Sequence, residues 1–176
     1  AKSWDNIREA VDAGYTSVMF DGSALPFKDN IIGTRRVVEY AHAAGASVEA
    51  ELGTVGGTED GLVVNPDAAK LTDPDDAVEF IERTGIDALA VAIGTNHGQY
   101  KSKTSVNLDV LESIHQVATK PLVIHGGTGV SDADVHKVID RGIRKFNVGT
   151  ELLVQWNRKS KELYEAHKEN VSNRDN

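Results

Sequence analysis

Two histidines in the sequence have the residue type and the position needed to bind a metal ion. His97 and His125 each follow a short apolar run, and each is followed by a glycine. Two imidazoles at the ends of neighbouring strands suit a Zn²⁺ site, which usually takes three protein ligands and leaves one position open. Because the chain contains no cysteine, the other ligands would have to be histidines or carboxylates. The alternative is that each imidazole is an ordinary hydrogen-bonded side chain at the edge of the fold.

Two glutamates on a single apolar run strengthen the metal interpretation. Glu49 and Glu51 alternate with apolar residues in the run 46–52. Since side chains alternate along a strand, both carboxylates are predicted to face the interior, on the side away from the helices. Carboxylates placed there are costly unless they are paired, hydrogen-bonded or bound to a metal. Neutralisation by an arginine or a lysine is the alternative, and it suits Glu49 better than Glu51, which lies nearer the end of the run.

A second group of residues could bind phosphate. His125 is followed directly by the turn Gly-Gly-Thr-Gly at 126–129, and the last apolar run leads into Asn-Val-Gly-Thr at 147–150. Glycine-rich turns let backbone N–H groups approach phosphate oxygens, and a hydroxyl adds another donor. The alternative is an ordinary turn. A local phosphate site would let a chain with a net charge of −8 bind an anionic substrate.

The long connection between residues 53 and 70 carries two more carboxylates, Glu59 and Asp60. Its first half contains four glycines. We expect a lid over the site, because loops of this length in compact domains are often functional. A carboxylate on a lid can act as a base once closure expels water. The alternative is a solvated surface loop.

The elements that must position these residues follow an alternating pattern. Five apolar runs rich in branched residues predict strands at residues 16–20, 46–52, 88–93, 121–124 and 145–148. Stretches of helical period predict helices at residues 4–13, 29–44, 72–85, 108–118, 132–140 and 151–168. Strict alternation implies parallel strands joined by right-handed crossovers, with the chemistry at the carboxyl ends of the strands. A unit of roughly 30 residues is close to that of a (β/α)₈ barrel.

Composition narrows the class of protein and its partners. The 176 residues predict one globular domain over 1–176, with the last helix and tail at 151–176. The net charge of −8 argues against nucleic acid or an anionic membrane as the main partner. No apolar run approaches the roughly 20 residues of a membrane span. The chain opens without a secretory leader and lacks cysteine, so we expect a cytoplasmic protein.

Five motifs, in matching order and spacing, resemble the class II, metal-dependent fructose-bisphosphate and tagatose-bisphosphate aldolases. They are Ser47-Val48-Glu49-Ala50-Glu51-Leu52-Gly53, Gly56-Gly57-Thr58-Glu59-Asp60, Gly94-Thr95-Asn96-His97-Gly98-Gln99-Tyr100-Lys101, His125-Gly126-Gly127-Thr128-Gly129 and Asn147-Val148-Gly149-Thr150-Glu151. The similarity runs from the first helix to about Leu152. It implies a (β/α)₈ TIM barrel and the glycolytic type of reaction. That reaction is the reversible cleavage of fructose or tagatose 1,6-bisphosphate to dihydroxyacetone phosphate and glyceraldehyde 3-phosphate. The resemblance also implies a homo-oligomer, either a dimer or a tetramer.

The same resemblance implies roles for individual residues. His97 and His125 are two of the three ligands of Zn²⁺ or another divalent metal, and Glu51 serves an alternate or second metal position with Asp21 near it. Glu59 is the lid carboxylate that exchanges the proton on the dihydroxyacetone-phosphate carbon. A monovalent cation, Na⁺ or K⁺, often sits beside the phosphate in this family. The residues that hold this half of the substrate and its phosphate are Gly98, Gly126, Gly127, Thr128, Asn147, Val148, Gly149 and Thr150.

The sequence departs from the family pattern in two places. Glycine stands at 149 where the fructose-specific branch often has aspartate, and residues 90–95 look more like the tagatose branch. Residues 126–129 look more like the fructose branch, so the sugar epimer stays open. An Asp-His pair at the end of the family's third strand, which supplies the remaining zinc ligand and an acid/base group, has no counterpart. We therefore expect about five of the eight βα units, with the first three strands absent, and little aldolase activity from residues 1–176 alone. Two alternatives remain: another metal-dependent phosphosugar barrel, such as an epimerase, or an inactive fragment that acts as an association module.

Overall fold

Helices and strands alternate along the chain in the computed structural model, which describes residues 1–59, 62–64, 70–97, 106–128 and 130–167. For 56–59, 62–64 and 96–97 it describes the backbone alone. The helices are α1 (Trp4–Asp12), α2 (Phe27–Ala43), α3 (Pro74–Thr84), α4 (Leu108–Val117), α5 (Asp132–Asp140) and α6 (Thr150–His167). The strands are β1 (Ser17–Phe20), β2 (Ser47–Leu52), β3 (Gly56–Glu59), β4 (Leu62–Val64), β5 (Ala88–Val91), β6 (Asn96–His97), β7 (Leu122–Ile124) and β8 (Ile143–Phe146).

Five of the strands form one parallel sheet in the order β1-β2-β5-β7-β8. Every neighbouring pair in this sheet is parallel, as the alternation of helices and strands predicts. Within the described residues, β1 and β8 each pair with one strand only, so both outer edges of the sheet are open. The architecture is therefore a partial (β/α)₈ barrel with five of its strands, which confirms the predicted fold class.

The hydrophobic core lies between the helices and one face of the sheet. Its largest fully buried side chain is Phe80 of α3, which packs against Phe27 of α2 with the ring centroids 6.2 Å apart. Alternate strand residues complete this core: Val48, Ala50, Leu52, Leu89, Val91, Leu122 and Ile124. Fully burying a side chain of this kind contributes about 1.5–3 kcal/mol. Since every second strand residue belongs to the core, the residues between them face the opposite side of the sheet.

Helix α3 shows how local sequence sets the ends of an element. The Asp73 side chain accepts hydrogen bonds from the N–H groups of Asp75 (2.9 Å) and Asp76 (3.3 Å). Pro74 occupies the first helical position, where its missing N–H costs nothing. Gly85 ends the helix with a φ of 72°, a left-handed conformation that glycine adopts without steric penalty. The sequence predicts both boundaries correctly.

The connection between β2 and α3 is not the strandless loop that the sequence predicts. Strand β3 pairs with β4 in an antiparallel hairpin and with β6 in parallel, which makes a second, three-stranded sheet. These strands contain four, three and two residues. Elements so short leave no periodic pattern that sequence reasoning can recognise.

Strand β8 begins two residues before the predicted run 145–148 and ends at Phe146. Ile143 is buried and starts the strand, whereas Val148 is exposed and lies beyond it. The prediction was displaced because Arg144 and Lys145 interrupt the apolar run in the middle of the strand.

The C-terminal helix α6 lies on the surface of the protein. None of its 18 residues is buried, and it exposes the large apolar side chains Leu152, Leu153, Trp156, Leu163 and Tyr164. In the part of the chain that the structure describes, no helix has the length and apolar character needed to span a bilayer.

A buried threonine ties the start of α3 to the carboxyl ends of β2 and β5. The Thr72 hydroxyl donates to the carbonyl oxygen of Leu52 (2.5 Å) and accepts from the N–H of Ala92 (2.8 Å), while the Thr72 N–H donates to the carbonyl of Ala92 (2.9 Å). A Cβ at Gly53, whose φ is +86°, would lie 2.7 Å from this hydroxyl. Thr72 therefore fixes the point at which the segment from β2 returns to the main sheet.

We predict that Thr72→Val lowers the free energy of unfolding by about 1–3 kcal/mol, because it leaves a buried carbonyl and a buried N–H without partners. Thr72→Ser keeps the hydroxyl and should lose less. Urea denaturation of both variants tests this, with Thr119→Val at an exposed position as the control. Equal stabilities of Thr72→Val and the control would contradict this role of the hydroxyl.

Asp87 links the amino end of β5 to β2 and α2. One carboxylate oxygen, Oδ2, lies 2.8 Å from Nε2 of His42 and accepts a 2.7 Å hydrogen bond from the Val48 N–H. Burial alone raises the pKa of Asp87. The hydrogen bonds from His42 and Val48 outweigh it and hold the pKa below its usual value of 3.8. The ionised carboxylate is therefore stabilised by folding.

A carboxylate whose pKa is lowered by folding stabilises the protein above its unfolded pKa, and this contribution is lost as the pH falls through the folded value. We therefore predict that Asp87→Asn destabilises the chain at pH 7 and that the difference from wild type begins to shrink near pH 4, about the unfolded pKa, and continues to shrink as the pH falls toward the lower folded pKa. Urea midpoints measured from pH 3 to pH 7 test this, with the exposed Asp109→Asn as the control. A difference that stays constant across this range would refute the role of the charge.

Candidate functional site

His125 lies at the centre of a buried ionic cluster on the inner face of the sheet. It follows the last residue of β7, and its Nε2 lies 2.7 Å from Oε1 of Glu49 while its Nδ1 lies 3.2 Å from Oε2 of Glu51. The three side chains are exposed by only 8%, 5% and 4%. The predicted inward orientation of both glutamates is therefore what the structure shows.

The residues between β2 and β7 explain how the carboxylates reach the histidine. Strand β5 separates the two strands, and its residues Ala88 and Ala90 stand in register with Glu49 and Glu51. Alanine side chains at these two positions leave space above the intervening strand. The long glutamate side chains can therefore extend across β5 to the imidazole.

Lys145 of β8 is the fourth member of this cluster, which we call the ionic cluster of Glu49, Glu51, His125 and Lys145. Its Nζ lies 2.6 Å from Oε2 of Glu49, the oxygen that His125 does not contact. Neutralisation by a lysine, the alternative to a metal for Glu49, is thus present in the structure. The sequence alone does not name Lys145, although a shift of two residues leaves this residue on the same face of β8.

Electrostatics in the cluster favour the charged forms of Glu49 and His125. Burial raises the pKa of Glu49, but hydrogen bonds from His125 and Lys145 outweigh it and hold the pKa below 4.5. Burial lowers the pKa of His125, but the two glutamates overcome it and raise the pKa from 6.5 to about 9. Without a metal ion, the imidazole therefore carries protons on both nitrogens at neutral pH.

Asp21, the other carboxylate expected near a metal, lies at the end of β1 in a different set of contacts. It accepts hydrogen bonds from the Ser23 hydroxyl (2.6 Å) and N–H (3.1 Å), and it lies 3.4 Å from Nζ of Lys2. Burial raises its pKa, but these partners lower it below 3.8. The structure does not bring Asp21 into the ionic cluster.

The glycine-rich turn after His125 lies against the segment that joins β8 to α6. The Gly127 N–H donates to the carbonyl of Asn147 (3.1 Å), and the Asn147 N–H donates to the carbonyl of Ile124 (2.8 Å). A Cβ at Gly127 would lie 2.3 Å from the ring of Phe146, so the close approach requires glycine. These two N–H groups hold the turn against β8, which differs from the expectation that they point at a phosphate.

Thr128 occupies the position best suited to an anion. It is 6% exposed, and its hydroxyl oxygen accepts a 3.1 Å hydrogen bond from the Glu151 N–H in the first turn of α6. A hydroxyl that accepts in this way keeps its own proton to donate. The first N–H groups of a helix lack intrahelical partners and attract negative charge. Val148, Gly149 and Thr150 lead into this helix terminus.

Three predicted residues lie wholly or partly outside the described residues. Glu59 ends β3 and His97 ends β6, and their backbones are close because Gly57 of β3 stands in register with His97. The side chains of Glu59 and His97 are not among those described, and neither is Gly98. Their proposed roles remain predictions.

One residue that sequence reasoning did not select is Thr95. Among the described residues, its hydroxyl is the one buried side-chain polar atom without a hydrogen-bond partner. An unpaired buried polar group costs about 1–3 kcal/mol. The motif that contains Thr95 was interpreted through His97 and Gly98, and nothing in the sequence distinguishes this threonine from a core residue.

The described side chains alone do not complete a metal site. Among them, no group of three histidine, aspartate or glutamate residues is arranged to hold an ion. His125 and Glu51 do place one nitrogen and one oxygen donor together, which is the donor chemistry that zinc accepts. This pair could supply two ligands, and further ligands would have to come from elsewhere.

Proteins of known structure share this fold. The YdjI aldolase from Escherichia coli K12 superimposes with a TM-score of 0.76 at 39% identity, over 98% of this chain and 57% of that one. A putative fructose-1,6-biphosphate aldolase from Coccidioides immitis gives 0.75 at 34% identity, over 84% of this chain and 53% of that one.

Curated relatives give the same result at higher identity. The fructose-bisphosphate aldolase of Staphylococcus aureus strain Mu50 is 50% identical over 149 residues, which are 85% of this chain and 51% of that protein. The Staphylococcus epidermidis enzyme is 49% identical over the same shares. The chain thus spans about half the length of the curated relatives that it matches. Residues 1–175 match the family model described as fructose-bisphosphate aldolase class-II, and the chain belongs to this family of lyases.

Proposed function

We propose that this chain supplies the metal-binding and phosphate-binding part of a zinc-dependent class II ketose-bisphosphate aldolase. The reaction is the reversible cleavage of fructose or tagatose 1,6-bisphosphate to dihydroxyacetone phosphate and glyceraldehyde 3-phosphate. One observation carries the proposal: Nδ1 of buried His125 lies 3.2 Å from Oε2 of buried Glu51. His125 follows β7 and leads directly into the turn that contains Thr128. Family membership supplies the class of reaction, carbon–carbon bond cleavage.

His125 and Glu51 fit a divalent cation. Their facing atoms are an imidazole nitrogen and a carboxylate oxygen, both of which Zn²⁺ accepts as ligands. In the proposed site His97 adds a second imidazole, and Asp21 serves a neighbouring metal position along the same edge of the sheet. When bound, the cation would supply Lewis-acid stabilisation of the charge that develops on the ketose oxygens as the bond between C3 and C4 breaks.

Thr128 and the start of α6 provide the proposed phosphate site. The Thr128 hydroxyl accepts from Glu151 and can donate its proton to a phosphate oxygen, while the helix terminus contributes a partial positive charge. Gly126 would line the site, and Val148, Gly149 and Thr150 would add main-chain donors, with Na⁺ or K⁺ beside the phosphate. Gly127 and Asn147 would line the same site, with their N–H groups already holding the turn against β8.

Glu59 is the proposed base of the reaction. It ends β3, the strand that pairs with the strand of His97, so the small sheet would carry a proton acceptor and a metal ligand together. A carboxylate in that position would exchange the proton on the dihydroxyacetone-phosphate carbon once water is excluded. Gly98, directly after His97, would contact the same half of the substrate.

The proposal also covers the setting of the enzyme. We propose a cytoplasmic homo-oligomer, a dimer or a tetramer, with a phosphosugar as its small-molecule partner. The net charge of −8 argues against nucleic acid as a partner. The first three strands of the barrel are proposed to be absent from residues 1–176.

We predict that the chain binds Zn²⁺ and that His125→Ala and Glu51→Ala each weaken binding by at least about tenfold, equivalent to about 1.4 kcal/mol. A competition titration against a chromophoric zinc chelator measures this. His136→Ala, which removes an exposed histidine on α5, is the matched control. Wild-type affinity no higher than that of His125→Ala would disprove the metal role of this site.

We further predict that residues 1–176 alone show little cleavage of either bisphosphate, because the third histidine ligand and the acid/base aspartate of the family have no counterpart here. A coupled assay of triose phosphate release, with zinc added, measures this. Rapid turnover that His125→Ala abolishes would show that the chain needs no further residues for activity.

A further inference from the structure

The two carboxylates that contact His125 are not equivalent. Oε1 of Glu49 lies 2.7 Å from Nε2, whereas Oε2 of Glu51 lies 3.2 Å from Nδ1. An ionised carboxylate only accepts hydrogen bonds, so the shorter contact requires a proton on Nε2. Metal-binding histidines commonly donate their second ring N–H to a carboxylate, which fixes both the tautomer and the ring orientation.

Glu49 is also held on its other oxygen. Lys145 donates to Oε2 at 2.6 Å, so each oxygen of this carboxylate has a basic partner. Within the described residues, the contact that Glu51 makes through its side chain is with His125. Both oxygens of Glu49 are thus occupied within the cluster. Glu51 lies two residues nearer the carboxyl end of β2, where a ligand site is expected.

The sheet register places Lys145 on the same face of the sheet as Glu49 and Glu51. Lys145 stands in register with Val123 of β7, which stands in register with Ala90 of β5. Ala90 in turn stands in register with Glu51, and Glu49, two residues earlier on β2, faces the same side. The lysine side chain crosses the two intervening strands to Glu49 and joins β8 to β2.

We propose that Glu49 is a positioning residue for His125, held in place by Lys145. Glu49 accepts a hydrogen bond from the Nε2–H group of His125. This bond orients the ring so that Nδ1 faces Glu51 and is the nitrogen that would bind the cation. Lys145 orients Glu49 by binding its second oxygen. This inference rests on the proposed metal site, and it assigns tasks to two residues that are not themselves ligands.

The test compares zinc affinity across variants of the two positioning residues. Glu49→Ala should weaken binding about 10- to 100-fold, the usual effect of removing a partner of a ligating histidine. Glu49→Gln keeps an acceptor oxygen and should lose less. Lys145→Met should weaken binding, and Lys145→Arg should restore it. Lys137→Met, which removes an exposed lysine paired with Asp134 on α5, is the matched control and should bind as wild type does.

A second measurement separates positioning from simple loss of structure. Long-range proton–nitrogen NMR correlations of the zinc-loaded chain report which nitrogen of His125 carries the proton. Wild type should show a protonated Nε2 and a metal-bound Nδ1, and Lys145→Met should show a mixed pattern with folding intact by circular dichroism. Unchanged zinc affinity and an unchanged nitrogen pattern in Lys145→Met and Glu49→Gln would overturn the proposal. Absence of zinc binding by wild type would instead overturn the proposed function.

Discussion

The burial of two carboxylates on the inner face of the sheet is the constraint on which the site depends. Glu49 and Glu51 are among the least exposed polar residues of the described chain. Charges in such surroundings are tolerated only when counter-charges and hydrogen bonds offset the loss of solvation. His125 and Lys145 provide them from two other strands, and the alanines of β5 leave the space. Sheet register, the alanines of β5 and the position of His125 together therefore allow the two buried carboxylates to be neutralised.

The sequence predicts most of the main sheet because its strands follow the signals that sequence reasoning reads well. Apolar runs bounded by glycine locate β1, β2, β5 and β7, and the Asp73 cap with Gly85 bounds α3. The small sheet was missed because its pairing is tertiary: β3 and β6 meet only when the segments after β2 and β5 converge. The predicted position of β8 was two residues too late, because the inward Lys145 of this strand pairs with a carboxylate and does not continue the apolar pattern.

The candidate site divides in the same way. Alternation along β2 predicts that Glu49 and Glu51 face inward, since that inference needs only the geometry of one strand. Which partner each carboxylate selects depends on distances across several strands, and no pattern in one sequence reports them. The hydrogen bonds of Gly127 and Asn147 also depend on contacts between strands. The glycine-rich motif predicts that the backbone of the turn comes close to another group, but it does not say whether that group is β8 or a ligand.

The Thr128 side chain links the turn after β7 to the amino end of α6. Its hydroxyl accepts from the first turn of α6, a helix of 18 residues that buries none of its own side chains. An anion that accepts a hydrogen bond from this hydroxyl would make its oxygen a stronger acceptor, because successive hydrogen bonds polarise one another. In the proposed enzyme, phosphate binding at Thr128 and the anchoring of the amino end of α6 would therefore strengthen each other.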